Sequence, residues 1–200
     1  MTADYFDARM VNRSRLLWAV ATRRQLDRWE PYVAESAIRS YQQGELDSAD
    51  IWAAELEHHF TLIAARHLMR ALELKPVAAV AVDPTMRAEL IEGRDLHEHW
   101  VDNLPVFNVT PRPAQPPRRS GRDFAARNPD HSPYWWLGWS GAGGAMLLPN
   151  VPAPALRRLL DDIEAEVLTA DPSFATFVPP LIPSRWFEED GHWWPAADVS

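Results

Sequence analysis

The segment from Ser48 to Leu74 constrains the fold most strongly, because apolar residues recur in it every three or four positions. That spacing is typical of one side of an α-helix. Asp47 or Ser48 is a suitable N-cap, and Pro76 closes the pattern because proline lacks the N–H that a helix interior needs. The pattern therefore predicts a long amphipathic helix. The residues of its predicted apolar stripe are Trp52, Leu56, Phe60, Ile63, His67, Ala71 and Leu74.

One further helix is predicted before this segment and one after it. A helical stripe runs from Asn12 to Tyr41, and Pro31 inside it predicts a kink or two consecutive helices. Asp83-Pro84 combines an N-cap with proline at the first helical position, and the helix that follows is expected to end before Pro105. Four tryptophans in these helices are predicted to be core residues: Trp18, Trp29, Trp52 and Trp100.

The second half of the chain has a different composition. Residues 108–133 are rich in proline and arginine and are predicted to be a linker or loop. Two β-prone runs on either side of the glycine-rich turn at residues 140–144 predict a hairpin, and Pro154 begins a last amphipathic helix. The predicted organisation is a helical bundle over residues 1–107, a linker over 108–133, and a hairpin, helix and Pro/Trp-rich tail over 134–200 that pack on the bundle.

Charge and composition exclude several classes of protein. The 200 residues contain no cysteine, which excludes disulfides and zinc sites built on cysteine. The longest apolar run, residues 77–82, is far too short to span a bilayer, so no membrane partner is expected. No secretory signal is recognisable at Met1, and a cytoplasmic location is predicted. The net charge of −8 argues against a protein that coats nucleic acid through bulk electrostatics.

Histidines are concentrated in the second and third predicted helices, which hold five of the seven. His67 is expected to be a core histidine bonded to a neighbour, and His58 and His59 are placed at the edge of the apolar stripe. A metal site is one alternative, with Asp95 and His99 on one helix and Glu55 and His59 on the other. A di-iron bundle needs two Glu-x-x-His pairs, and the predicted bundle helices contain one, formed by Glu55 and His58.

The segment Arg94-Asp95-Leu96-His97-Glu98-His99 carries the strongest chemical signal. Arginine, a polar residue, three further residues and histidine resemble the signature of the HEPN superfamily, which contains all-helical nucleotide-binding and ribonuclease domains. The resemblance covers about residues 12–104. It implies a mainly α fold with an N-terminal antiparallel bundle, and catalytic roles for Arg94, Asp95 and His99. It implies no cofactor and no metal ion.

The resemblance also implies how such a site would act on single-stranded RNA. His99 would be the general base for the 2′-hydroxyl, Arg94 would hold the scissile phosphate, and Asp95 would orient one of them. Arg94 and His99 differ by about 140° around a regular helix, so they do not converge within one straight helix. Either the helix begins irregularly near Gly93 or a two-fold partner completes the site, as in HEPN ribonucleases, and a homodimer is therefore expected.

The resemblance thus predicts a metal-independent endoribonuclease or an RNA-binding relative of one, and two interpretations compete with it. Arg94 and Glu98, and Asp95 and His99, have the spacing of ordinary salt links along a helix. The chain would then be a non-enzymatic helical interaction protein with an unknown protein partner. The metal-binding bundle is the third alternative.

Overall fold

The computed structural model describes residues 7–33, 48–75, 77, 80–98, 124, 126–128, 139–141, 144–176, 186–189 and 192–195. It is mainly helical with a small antiparallel sheet. The helices are α1 (Ala8–Val33), α2 (Ser48–Leu72), α3 (Pro84–Glu98) and α4 (Ala153–Ala170), followed by a 3-10 turn (Pro172–Thr176). The strands are β1 (Trp139–Gly141), β2 (Gly144–Leu148), β3 (Val151–Pro152), β4 (Trp186–Glu189) and β5 (His192–Pro195).

The helix boundaries follow local capping chemistry. Asp83 accepts a hydrogen bond from the Met86 amide at 2.8 Å, and Pro84 is the first residue of α3, as predicted. Asp7 caps α1 in the same way, so this helix begins at Ala8, before the predicted start at Asn12. Pro31 lies inside α1, which continues to Val33, and the predicted continuation to Tyr41 lies outside the described residues.

The sheet is antiparallel in the order β1-β2-β3. Trp139 pairs with Met146 and Gly141 with Gly144, which confirms the predicted hairpin. The short strand β3 was not predicted, because one of its two residues is Pro152 and a second proline, Pro154, follows closely. A separate hairpin joins β4 to β5, with Trp186 opposite Pro195. The predicted packing of the tail on the bundle stays a prediction.

Helices α1 and α2 pack against each other in an antiparallel arrangement. Arg15, near the start of α1, contacts the end of α2. Trp29, near the end of α1, faces His58 in the first half of α2, and their ring centroids are 6.0 Å apart. Helix α1 also packs on α4, and α2 packs on α3. The buried side chains of the four helices and of β2 and β3 form one hydrophobic core.

The buried side of α2 differs from the prediction. Leu56 and Phe60, assigned to the apolar stripe, are 52% and 42% exposed, respectively. The side that faces the core instead contains His58, Leu62, Ala65, Leu68 and Leu72. Apolar residues occupy most of the circumference of this helix, so spacing alone predicted the helix but not the side it buries. The apolar spacing of α4 was assigned correctly, since Leu156, Leu159, Leu160, Ile163 and Val167 are all buried.

Two buried polar side chains tie the helices together. Arg15 is 1% exposed and donates to the main-chain oxygens of Leu72 at 3.2 Å and Val77 at 3.1 Å. It thereby satisfies the carbonyl of Leu72 at the end of α2 and that of Val77 in the segment that follows. His58 is fully buried in the core, not at the edge of a stripe, and its Nε2 lies 2.8 Å from the oxygen of Leu147 on β2.

A buried carboxylate fixes α3 to the segments around it. Glu89 is fully buried and accepts hydrogen bonds from Asn128 Nδ2 at 3.0 Å, Asn150 Nδ2 at 2.7 Å and the Asn150 amide at 2.9 Å. A buried carboxylate is stable only when its oxygens are satisfied in this way. The contact holds the turn between β2 and β3 against the helix that carries Arg94.

Candidate nucleic-acid interface

Arg94 and Asp95 lie near the carboxyl end of α3, where this helix passes α2. Both side chains are half-buried. His99, the third predicted catalytic residue, lies outside the described residues, and only the helical backbone is described for Leu96, His97 and Glu98. The predicted contacts of His99 with Asp95 and of Glu98 with Arg94 stay predictions.

Gly93 allows α3 to approach its neighbours closely at this point. A Cβ atom there would lie 2.8 Å from Leu148 Cδ1 and 3.3 Å from Leu62 Cδ2. The glycine therefore brings the backbone beside Arg94 against both β2 and α2. Helix α3 runs without interruption from Pro84 to Glu98. The suggestion that the helix begins irregularly near Gly93 is therefore wrong, and the residue is needed for close packing.

Asp95 connects arginines from two helices. Its Oδ1 accepts a hydrogen bond from Arg66 Nη1 of α2, and it lies 3.4 Å from Arg94 Nη1 of the same helix. The Arg66 side chain is 13% exposed, and its Nε atom is buried without a hydrogen-bond partner among the described residues. Asp95 thus holds one guanidinium beside another. A role for Asp95 in orienting Arg94 is compatible with this contact, and its catalytic role stays a prediction.

A stacked pair of rings lies beside these arginines. Trp18 of α1 and His67 of α2 have ring centroids 4.3 Å apart and planes inclined by 15°. His67 is half-buried and stacks on an aromatic neighbour, so the prediction that it is a core residue is wrong. Burial lowers the pKa of His67 below its usual value, and the positive charges of Arg70, Arg66 and Arg94 lower that pKa further.

The arginines of α2 are the part of this cluster that sequence reasoning missed. Arg66 and Arg70 are one helical turn apart on the same helix. Neither residue belongs to the motif at residues 94–99, and only the packing of α2 against α3 brings Arg66 to Asp95. The spacing of four residues was the one available signal, because it places two like charges side by side on α2.

Other predicted sites are described only in part. Among the described residues, no three histidine or acidic side chains lie close enough together to hold a metal ion. The metal alternative also requires His99, which lies outside them. Within the predicted linker at 108–133, Arg127 is described and pairs with Glu92 of α3. None of the helices in the described part of the chain has the length and apolar character needed to cross a membrane.

Comparisons of the chain with protein-family models, with curated proteins and with solved structures found no match.

Proposed function

We propose that this chain is a HEPN-like protein that binds single-stranded RNA and cleaves it without a metal ion, working as a homodimer. The observation that carries the proposal is the group of arginines around Arg94. Arg94 and Arg66 meet at Asp95, and both act electrostatically on His67. In a chain with a net charge of −8, such a local concentration of guanidinium groups favours an anionic ligand.

The reaction follows from the residues of the motif. His99 would remove the proton from a 2′-hydroxyl, whose oxygen then attacks the adjacent phosphorus. The bond from phosphorus to the 5′-oxygen breaks, and that oxygen takes up a proton from solvent. Arg94 would hold the phosphate and stabilise the added negative charge, with Asp95 fixing the guanidinium. The products are a 2′,3′-cyclic phosphate, or the 3′-phosphate derived from it, and a 5′-hydroxyl.

Assembly as a dimer supplies the geometry that one helix lacks. Because α3 is regular through Gly93, Arg94 and a histidine five residues further on diverge by about 140° if the helical path continues. A two-fold mate would bring a second pair alongside. Four large apolar side chains on α1 and α2 are exposed and offer surface for such a mate: Met10, Leu17, Leu56 and Phe60.

These exposed side chains also favour the second candidate function, a non-enzymatic helical interaction protein with an unknown protein partner. On that interpretation, the ion pairs of Asp95 are structural, and the apolar sides of α1 and α2 bind the partner. RNA cleavage would then be absent, and binding of RNA at low salt would be weak and unaffected by changes at Arg94.

Cleavage of an unstructured RNA in the presence of EDTA tests the first proposal. The wild-type protein should cut the RNA and leave DNA of the same sequence intact, because DNA lacks the attacking hydroxyl. His99→Ala should reduce the rate by about 10²–10⁴-fold with RNA binding retained, as expected for loss of a general base. Arg94→Ala should impair both cleavage and binding. Arg158→Gln, an exposed charge change on α4, is the matched control and should leave cleavage unchanged.

No cleavage and no binding by the purified wild-type dimer at low salt would contradict the proposal. Cleavage that persists in both the His99 and the Arg94 variants would show that these residues do not carry the reaction.

A further inference from the structure

Helix α2 carries two arginines near the proposed catalytic motif of α3: Arg66, which pairs with Asp95 of α3, and Arg70, four residues further on. Arg66 and Arg70 are spaced by four residues, so their positive charges lie about one turn apart. Like charges at this spacing repel each other and destabilise a helix. Asp95 pairs with Arg66, while Arg70 is exposed and makes no ion pair with any described residue. Among the described residues, Asp95 is therefore the one carboxylate that pairs with an arginine of α2.

The stack of Trp18 and His67 adjoins the same positive charges. His67 directly follows Arg66 and precedes Arg70 by three residues, so it lies within the cluster. Its ring is fixed against Trp18 by the nearly parallel contact at 4.3 Å. Burial and the surrounding positive charges both lower the pKa of His67 and so favour the neutral imidazole, which still carries one ring N–H donor. The cluster thus combines guanidinium groups with a rigid uncharged ring.

Arginine is suited to phosphate because its planar guanidinium donates two parallel hydrogen bonds to two oxygens. A phosphate beside Arg66 and Arg70 would relieve their mutual repulsion. It would also compete with Asp95 for the guanidinium of Arg66, which donates a hydrogen bond to that carboxylate.

We propose that Arg66 and Arg70, together with the His67 ring that is stacked on Trp18, form a phosphate-binding subsite on α2, next to Arg94. The proposal rests on the proposed RNA function for the identity of the ligand, a phosphodiester of single-stranded RNA adjacent to the cleaved one. Arg66 and Arg70 are positioning residues for the substrate, and they take no part in the proton transfers. Helix α2 therefore determines where along the RNA the motif of α3 acts.

Binding of inorganic pyrophosphate to the full-length protein tests the subsite without any reaction. Heteronuclear NMR would follow the His67 ring and the Trp18 indole, assigned with His67→Gln and Trp18→Phe. Both resonances should shift saturably on titration with pyrophosphate. The shifts should be lost in Arg66→Gln and Arg70→Gln and kept in Arg158→Gln, which makes the same charge change on α4. Because Arg70 is exposed, its variant reports on binding even if loss of the Arg66 contact with Asp95 disturbs folding.

The second measurement is the affinity for a fluorescent single-stranded RNA at several salt concentrations. Arg70→Gln should weaken binding about threefold or more and lower the salt slope by about one, as for the loss of one phosphate contact. The subsite is overturned if pyrophosphate leaves the His67 and Trp18 resonances unchanged. It is also overturned if the wild type binds RNA and Arg66→Gln and Arg70→Gln bind it as tightly as Arg158→Gln does. Pyrophosphate binding that depends on Arg70, in a protein that neither binds nor cleaves RNA, would support the subsite and contradict the proposed function. RNA cleavage that depends on His99 but not on Arg66 or Arg70 would support the proposed function and contradict the subsite.

Discussion

Replacing Glu89 with glutamine should destabilise the protein strongly, although the change preserves size and shape. Glu89 is fully buried, and its two oxygens accept three N–H groups from Asn128 and Asn150. Glutamine has only one acceptor oxygen. In the best orientation of the glutamine, its oxygen takes the place of Glu89 Oε1 and keeps the two side-chain donors. The NH₂ group of the glutamine then faces the Asn150 amide, which is left without an acceptor.

The expected loss follows from these contacts. A hydrogen bond to a charged group contributes about 1.5–3 kcal/mol, and the two bonds that remain become weaker when their acceptor is neutral. We therefore expect the free energy of unfolding to fall by about 2–4 kcal/mol. For a chain of this length, that corresponds to a decrease in Tm of roughly 5 to 12 °C.

Urea unfolding followed by circular dichroism measures this loss. Glu73→Gln is the matched control, because Glu73 is exposed and pairs with Arg87 at the surface. Surface pairs of this kind contribute about 0–1 kcal/mol, so the control should unfold nearly as the wild type does. A decrease of less than about 1 kcal/mol in Glu89→Gln, similar to that of the control, would refute the assignment of Glu89 as the residue that holds the β2–β3 turn on α3.

Three further predictions concern the helices. Arg15→Gln should lower the free energy of unfolding by about 2–4 kcal/mol, because it leaves carbonyls at the end of α2 and just beyond it without donors. Urea unfolding that matches the wild type would contradict this. Since the folded protein lowers the pKa of His67, the unfolded chain binds the proton first as the pH falls. Stability measured from about pH 7.5 to 5.5 should therefore decrease less in His67→Gln than in the wild type, and parallel curves would exclude this contribution. Light scattering of the wild type should give about twice the chain mass, and the mass of a combined Leu56→Glu and Phe60→Glu variant should move towards that of the monomer. A monomeric wild type would contradict a site shared by two subunits.

The helices were predictable because their signals are local. Asp83 and Pro84 lie next to each other in the sequence, and the cap forms within four residues. The spacing of Leu156, Leu160, Ile163 and Val167 likewise specifies both the helix α4 and its buried side. In α2, apolar residues surround the helix, so the buried side depends on α1, α3 and β2. That information is not contained in the spacing within one segment.

The buried polar residues were not predictable for a related reason. Glu89, Arg15 and His58 are charged or polar residue types that sequence patterns place at the surface. Each is buried because a partner distant in sequence satisfies it, such as Asn150 for Glu89 and the oxygen of Leu147 for His58. The candidate site combines both situations, since the motif at Arg94 and Asp95 is local but Arg66 reaches Asp95 only through the packing of α2 on α3.

The affinity of the wild-type protein and of Arg94→Ala for a short single-stranded RNA tests the central claim most directly. Fluorescence anisotropy at about 50 mM salt keeps the phosphate contacts strong enough to measure. The proposed function predicts saturable binding by the wild type, binding about tenfold or more weaker in Arg94→Ala, and unchanged binding in Arg158→Gln. Absence of binding by the wild type, or equal affinities of the wild type and Arg94→Ala, would contradict the claim that the arginines around Asp95 bind RNA.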